Sequence, residues 1–263
     1  MYAFDYHRPT SLDEAVRLLG TAEDPKLLAG GQTLIPTLKQ RLARPSDLVD
    51  LGRVEGMRGI REEAGGLTVG AMTTHATVAG SELVRRVAPA LADLAGHIGD
   101  AQVRSLGTIG GSICNADPAA DYPAAVVALG ATVRTNKRQV AGGDFFTGMF
   151  ETALDEGEIV TAVHFPRPAR ACYAKFRNPA SRYAVVGVFV AETADGIRVA
   201  VTGAGPSVFR WTEAEAALAA DFAEAALDGL TVAPDDLNSD LHASAEYRAH
   251  LVKVMAKRAV AGC

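Results

Sequence analysis

The stretch from Gly107 to Asp121 combines residue types that could bind a phosphorylated and hydroxylated ligand. It holds the glycine pair Gly110-Gly111, the hydroxyl of Thr108 and the carboxylates of Asp117 and Asp121. Glycines let a backbone approach a bulky anion closely and expose N–H groups to it. Carboxylates accept hydrogen bonds from the hydroxyls of a sugar or polyol. The stretch therefore favours a site for a nucleotide with a long hydroxylated arm.

A second glycine turn, Ala29–Leu34, follows the apolar run Lys26–Leu28. Together the two turns could hold a pyrophosphate from both sides, through backbone N–H groups and the hydroxyls of Thr33 and Thr108. Each turn alone is equally typical of a strand-to-helix connection. Neither contains Gly-x-Gly-x-x-Gly or Gly-Lys-Ser/Thr, so an ordinary Rossmann site and a nucleoside-triphosphatase loop are not supported.

The two acids are four residues apart and would share one face of a helix. We expect that helix to begin at Asp117 as its N-cap, with Pro118 in its first turn. The alternative is structural, with Asp117 acting only as a cap and Asp121 as a solvated surface charge. Cys114 is interpreted as a small packing residue, since free cysteines usually behave so.

Bulk properties exclude several classes of protein. The chain has 263 residues, 48% of them hydrophobic, and a net charge of −5, which argues against a nucleic-acid partner. No apolar run reaches the length of a membrane span. The first residues lack the basic-then-apolar pattern of a secretory signal, so we expect a cytoplasmic protein.

The cysteines and histidines indicate no metal site on this chain. The three cysteines, Cys114, Cys172 and Cys263, are few and far apart. No disulfide scaffold is expected from them, and they are too few for an iron–sulfur cluster held by this chain alone. The six histidines show no zinc-type spacing.

Periodicity predicts an α+β architecture in two parts. Ser11 and Glu14 form a capping box for a first helix, and Ala194-Asp195-Gly196 is typical of a hairpin turn. Residues 166–170 are the best linker candidate. Strands are predicted at 26–28, 47–51, 67–71, 131–135, 159–165, 184–193 and 197–203, and helices at 36–42, 74–87, 89–97, 212–227 and 243–260.

Taken together, these motifs strongly resemble the FAD-binding medium subunit of molybdenum hydroxylases, the carbon monoxide dehydrogenase and xanthine dehydrogenase family. The resemblance extends over the whole chain, and the combination is specific where no single element is. It is carried by Phe4–Pro9, Ala29–Leu34, Asp100–Gly111, Asn115–Asp121 and His242–Arg248.

The resemblance implies a flavin-binding fold of the vanillyl-alcohol-oxidase type. Its FAD-binding domain would cover 1–168, in subdomains of about 1–54 and 55–168 with FAD between them. A smaller C-terminal α+β domain, of the carbon monoxide dehydrogenase flavoprotein type, would cover 171–263.

The resemblance also implies a set of cofactor-binding residues and no catalytic or metal-binding ones. Lys175 resembles a family residue near the flavin, and Tyr183 matches a position where an aromatic ring can shield the isoalloxazine. A solvated lysine and a core tyrosine are the structural alternatives for these two. Gln32 cannot bond covalently to flavin through an imidazole, so we expect dissociable FAD. The full predicted set is Ala29, Gly30, Gly31, Gln32, Thr33, Leu34, Thr108, Ile109, Gly110, Gly111, Asn115, Asp117, Asp121, Lys175 and Tyr183.

The function implied is that of an electron-transfer subunit. A large partner would carry the molybdenum cofactor, a small partner would carry two-iron/two-sulfur clusters, and the three would form a dimer of heterotrimers. FAD on this chain would deliver electrons to an external acceptor. Two alternatives are an autonomous flavin oxidase of the same fold and an assembly subunit that has lost FAD. The short chain argues against the first, and the intact glycine turns and acidic pair argue against the second.

Overall fold

The computed structural model describes residues 1–63 and 65–263 of the chain. Its first part is a three-stranded parallel sheet in the order β1-β3-β2. Ser11 caps the first helix by accepting a hydrogen bond from the Glu14 N–H group, as predicted. The elements of this part are β1 (Asp5–His7), α1 (Leu12–Thr21), β2 (Pro25–Leu28), α2 (Leu34–Lys39) and β3 (Asp47–Asp50).

The second part is a five-stranded antiparallel sheet, β4-β5-β10-β6-β7, with helices packed on it. The hairpin β8-β9 stands apart from that sheet. The elements are β4 (Ile60–Glu63), β5 (Gly66–Gly70), α3 (His75–Gly80), α4 (Glu82–Val87), α5 (Pro89–Gly96), α6 (Ala101–Leu106), α7 (Ile109–Asn115), α8 (Tyr122–Ala128), β6 (Thr132–Thr135), β7 (Gln139–Ala141), α9 (Gly142–Phe145), β8 (Phe146–Gly148), β9 (Glu151–Thr152) and β10 (Val160–Pro166).

The third part is a four-stranded antiparallel sheet, β11-β12-β13-β14, covered by helices. A hydrophobic cluster of its own joins the sheet to the last helix through residues such as Val188, Val201, Val252 and Met255. The elements are β11 (Arg170–Arg177), β12 (Ala184–Thr193), β13 (Gly196–Thr202), β14 (Phe209–Arg210), α10 (Thr212–Ala220) and α11 (Ala245–Ala261).

The helix predicted to begin at Asp117 is wrong. The preceding helix α7 ends at Asn115, its C-cap residue Ala116 adopts a left-handed conformation with φ 45°, and α8 begins only at Tyr122. The residues between are not helical, because their carbonyls accept hydrogen bonds from the third part of the chain. Asp117 and Asp121 therefore do not share a helix face.

Other differences are smaller. The predicted helix 74–87 is two helices, because Ser81 caps α4 through its hydroxyl and ends the first of them. The predicted helix 212–227 ends at Ala220, and a short 3₁₀ helix, Glu224–Leu227, follows. Strand β11 and helix α6 carried no signal that the sequence analysis used.

Two cysteines pair although no disulfide scaffold was expected. Cys172 on β11 and Cys263 form a disulfide, with their Cα atoms 5.4 Å apart. A single bond between residues so far apart in sequence joins β11 to the chain end beyond α11, and it leaves Cys114 as a free cysteine.

Within 1–63 and 65–263, no helix has both the length and the apolar composition that crossing a membrane requires.

Candidate functional site

A cavity of about 450 Å³ lies where the three parts of the chain meet. Its walls come from the loop after β2, from helix α7 and the residues following it, and from the connection between β11 and β12. Most of the predicted site residues line it. These are Ala29, Gly30, Gly31, Gln32, Thr33, Leu34, Thr108, Gly110, Gly111, Asn115, Asp117, Asp121 and Tyr183.

The loop Ala29–Leu34, called the amide loop below, leaves β2 at the carboxyl end of the parallel sheet. Gly31 has φ +72°, a conformation that side chains rarely adopt. A Cβ on Gly30 would lie 2.2 Å from the Leu106 carbonyl oxygen, so the loop touches the end of α6. Among the described residues, the N–H groups from Gly30 to Leu34 find no acceptor within the chain. The loop therefore presents a row of donors at the cavity.

The glycine pair at the start of α7 is used differently. The Ile109 N–H group donates to the Thr73 carbonyl at 3.1 Å, and the Gly110 N–H group donates to the Ala71 carbonyl at 2.8 Å. The Gly111 N–H group donates to the Thr108 hydroxyl at 3.1 Å. A Cβ on Gly110 would lie 2.7 Å from the Ala71 Cβ atom. These glycines let α7 pack tightly, and their amides are satisfied within the chain.

The segment Asp117–Asp121, called the acid segment below, crosses the cavity wall between α7 and α8. Asp117 Oδ1 accepts from the Ala119 N–H group at 2.9 Å, which closes a tight turn. Burial raises the pKa of the Asp117 carboxyl, and the Ala119 hydrogen bond opposes that rise. The side chain is half-buried at the cavity and has acceptor capacity left for a ligand hydroxyl.

Asp121 lies deeper and already has protein partners. Lys175 Nζ lies 2.8 Å from Asp121 Oδ1 and 3.0 Å from Oδ2, and the Tyr173 hydroxyl donates to the same carboxylate. The side chains of Lys175 and Asp121 are 5% and 4% exposed. Burial raises the pKa of Asp121, and Lys175 and Tyr173 oppose the rise. Asp121 is thus held from β11, across the boundary between two parts of the molecule.

Tyr183 lines the cavity and is partly exposed. Asn178 builds the loop before it, since its Oδ1 accepts from the N–H groups of Ala180 and Ser181. Arg182 has φ 63°, and the Tyr183 side chain remains 44% exposed. Burial raises the pKa of the Tyr183 hydroxyl, and a contact with Thr33 of the amide loop opposes the rise.

Two predicted residues lie off the cavity wall. Ile109 is fully buried in the hydrophobic core beneath α7. The Lys175 side chain is buried and pairs with Asp121, but it does not line the cavity. Lys175 is therefore neither a solvated lysine nor a residue that meets a ligand directly.

Several lining residues escaped the sequence analysis. Cys114 is exposed and lines the cavity, so its interpretation as a packing residue is wrong. His75 lines the cavity floor with only 4% exposure. Burial, together with the charge of Arg104, lowers the pKa of His75 to about 4. A histidine one residue past a helix cap gave no sequence signal, because its burial depends on the distant Gly107 packing over it.

Comparison with known proteins identifies the fold. Residues 2–168 match the model of the FAD-binding domain in molybdopterin dehydrogenase. Residues 171–262 match the carbon monoxide dehydrogenase flavoprotein C-terminal domain. The fold is thus that of a flavoprotein, and the predicted α+β class is confirmed.

Relatives of similar length cover nearly the whole chain. The nicotine 6-hydroxylase medium subunit of Paenarthrobacter nicotinovorans is 36% identical, over 98% of this chain and 96% of that protein. The carbon monoxide dehydrogenase medium chain of Hydrogenophaga pseudoflava is 35% identical, with the same coverage. Among solved structures, reconstituted carbon monoxide dehydrogenase from Oligotropha carboxidovorans superposes with a TM-score of 0.91 at 35% identity, covering 99% of this chain and 97% of that one.

The chain belongs to the family of FAD-binding subunits of molybdenum hydroxylases. It is an oxidoreductase subunit, as predicted, and its cofactor is FAD. The limits of the domains and the individual cofactor-binding residues stay predictions.

Proposed function

We propose that this chain holds dissociable FAD in the cavity and passes electrons from the iron–sulfur clusters of a partner subunit to an external acceptor. The observation that carries the proposal is the amide loop. Gly30 to Leu34 are five consecutive residues that line the cavity, and their N–H groups have no acceptor in the described chain. Such a row suits a pyrophosphate, since each donor contributes partial positive charge without a counter-ion.

The other walls fit the remaining parts of FAD. Thr33 of the amide loop and Thr108, which precedes α7, add hydroxyl donors, and Asn115 and Asp117 offer polar groups for the ribityl or ribose hydroxyls. Tyr183, which also lines the cavity, would cover the ring system. Ile109 and Lys175 would act indirectly, the first by packing under α7 and the second by holding Asp121.

Bound FAD would supply the redox chemistry, and the chain would bind, orient and shield it. The Gln32 side chain donates to the Gln102 carbonyl at 3.2 Å, which joins the amide loop to α6. An amide in that position forms no covalent flavin link, so FAD should dissociate. The chain itself need not touch the organic substrate, which matches the lack of an evident acid–base pair in the sequence.

The partners proposed are a large molybdenum-binding subunit and a small subunit with two-iron/two-sulfur clusters, in a dimer of heterotrimers. This rests on the relatives, which are named medium subunits or chains, and on a matching solved structure described as a copper- and molybdenum-containing carbon monoxide dehydrogenase. We place no nucleic acid among the partners, given the acidic net charge.

Affinity purification of the tagged full-length chain from its native host tests the proposal. We expect co-purifying large and small subunits, molybdenum and iron in the complex, and about one FAD per chain that acid precipitation releases into the supernatant. A substrate that the complex oxidises should reduce the flavin and bleach its absorbance in the complex. The same substrate should leave the flavin of the isolated chain unchanged. A flavin-free complex, flavin that stays with the precipitate, or turnover by the isolated chain would each contradict part of the proposal.

A further inference from the structure

We propose that the β12–β13 end of the C-terminal sheet acts as a clamp that positions the acid segment, with Thr202 as its central positioning residue. The inference rests on the proposed function, since its consequence is that FAD affinity depends on a hydroxyl outside the cavity. Thr202 is fully buried and does not line the cavity.

Thr202 contacts the acid segment through its side chain. Its Oγ1 atom lies 2.9 Å from the Pro118 carbonyl oxygen and 2.6 Å from the Ala120 carbonyl oxygen. A hydroxyl has one proton to donate, so the two carbonyls share it. This sharing requires the carbonyl groups of Pro118 and Ala120 to point towards the same hydroxyl, which they would not do in a helix.

Backbone groups complete the clamp on both sides of that hydroxyl. The Gly203 N–H group donates to the Pro118 carbonyl at 2.8 Å, and the Ala184 N–H group donates to the Ala119 carbonyl at 3.3 Å. In each bond the C-terminal sheet donates and the acid segment accepts. Three consecutive carbonyls of the segment, residues 118–120, are therefore held by the ends of β12 and β13.

Arg248 supports the clamp from behind. Its side chain is 5% exposed, and NH1 donates to the carbonyls of Val185 and Gly203 at 2.6 and 2.9 Å. Its NH2 group pairs with Asp240 at 2.7 Å. Arg248 thus fixes the ends of the two strands that hydrogen-bond the acid segment. It is a residue of the His242–Arg248 motif, and its role there is structural.

The clamp matters for the cavity because the acids flank it. Asp117 precedes the three held carbonyls and Asp121 follows them, so their positions follow from where residues 118–120 are held. Tyr173 and Lys175 of β11 hold the Asp121 carboxylate from the same sheet. The C-terminal sheet therefore determines the position of the cavity wall from which Asp117 would contact a ligand.

The test compares Thr202→Val, which removes the hydroxyl at nearly constant volume, with the conservative Thr202→Ser. Thr193→Val is the matched control. Thr193 ends β12 at the opposite end of the same strand pair, and its hydroxyl also donates to a backbone carbonyl, that of Gly196 at 3.0 Å. Each variant is purified as the co-purified complex and as the full chain freed of FAD.

Three measurements are made on each variant: FAD dissociation from the complex by flavin fluorescence, amide hydrogen exchange of residues 116–122 in the FAD-free chain, and urea unfolding. We expect Thr202→Val to weaken FAD binding about tenfold, the equivalent of one or two hydrogen bonds, and to speed exchange at Ala119 and Ala120. Thr202→Ser should restore both properties to near the wild-type values. Thr193→Val should leave both unchanged.

FAD affinity within twofold of wild type in a folded Thr202→Val protein would overturn the clamp. So would a loss that Thr193→Val shares, since it would follow from sheet stability alone. If Thr202→Val does not fold, Thr202→Ala takes its place and should speed exchange at Ala119 and Ala120, with unchanged exchange counting against the clamp. A wild-type complex without flavin would defeat the proposed function instead, while hydrogen exchange would still report on the clamp.

Discussion

The two glycine pairs that line the cavity look alike in sequence but have different roles. Gly30-Gly31 belongs to a loop that lines the cavity and whose amides have no acceptors among the described residues. Gly110-Gly111 lies in the first turn of α7, and its N–H groups already donate hydrogen bonds within the chain. Gly110 also packs closely against Ala71. One pair keeps donors available for a ligand, and the other removes side chains so that the wall can pack.

The difference teaches that a glycine motif does not by itself locate an anion site. Glycine permits both an unusual backbone angle and a close approach of backbones. Only the hydrogen-bond partners distinguish the two uses. Changes in the amide loop should therefore affect the ligand, and changes around α7 should affect the fold.

We expect low pH to reduce the stability of the fold through the packed region that precedes α7, where His75 is buried. The backbone N–H group of His75 donates to the Gly107 carbonyl at 2.9 Å. The His75 imidazole is neutral because burial lowers its pKa to about 4. The unfolded chain takes up that proton near pH 6.5. The native state does not, so stability falls as pH decreases from about 6.5 to 4, by about 3 kcal/mol in all.

Urea unfolding of wild type and His75→Gln across that range measures the effect. The variant should lose less stability on acidification, and the difference should vanish above pH 7 apart from a constant offset. Parallel curves for the two proteins between pH 6.5 and 4 would contradict a neutral buried imidazole.

Gly110→Ala tests packing at the start of α7 directly. The added Cβ would meet the Ala71 Cβ atom at 2.7 Å and the Ala71 carbonyl oxygen at 2.8 Å. Overpacking of this kind costs about 1–3 kcal/mol. The free energy of unfolding of the FAD-free chain should fall by that amount.

Gly80→Ala is the matched control for that change. It lies at the end of helix α3, and an added Cβ would have no neighbour within 4 Å. We expect no loss, and a small gain from helix propensity. Equal behaviour of the two variants would contradict the packing role of Gly110.

Thr33→Val tests the ligand side with the smallest expected effect. Thr33 is exposed at the cavity and makes no capping bond to α2. Loss of one hydroxyl donor to a phosphate should weaken FAD binding by about 1 kcal/mol, a factor of five to ten. The unfolding of the FAD-free chain should not change.

Flavin titration of the Thr33→Val chain or complex gives the affinity. Thr21→Val, whose hydroxyl bonds only to carbonyls at the end of α1, should keep the wild-type value. A stability loss in Thr33→Val without a change in FAD affinity would reverse the assignment of the amide loop.

Local signals in the sequence predicted the local structure well. The capping box at Ser11 and the turn at Ala194–Gly196 both form, because each depends on neighbours within four residues. Most of the predicted site residues also lie together at one cavity, since the amide loop and the acid segment are each continuous in the chain and both contribute to its lining.

Non-local partners explain what the sequence could not predict. The acid segment resembles a helix start, but its carbonyls bond to Thr202, more than eighty residues later in the chain. The pairing of Cys172 with Cys263 and the burial of His75 under Gly107 likewise depend on distant residues. No periodicity within a short window records such contacts.

The lining of the cavity is shared between different parts of the molecule. The amide loop contributes to it, and so do Ser181–Tyr183, which the C-terminal sheet carries. The distance between these two contributions is therefore a property of how the parts are seated against each other, and of neither part alone. A substitution that slightly reseats them, at any distance from the cavity, would alter its dimensions without changing a single lining residue.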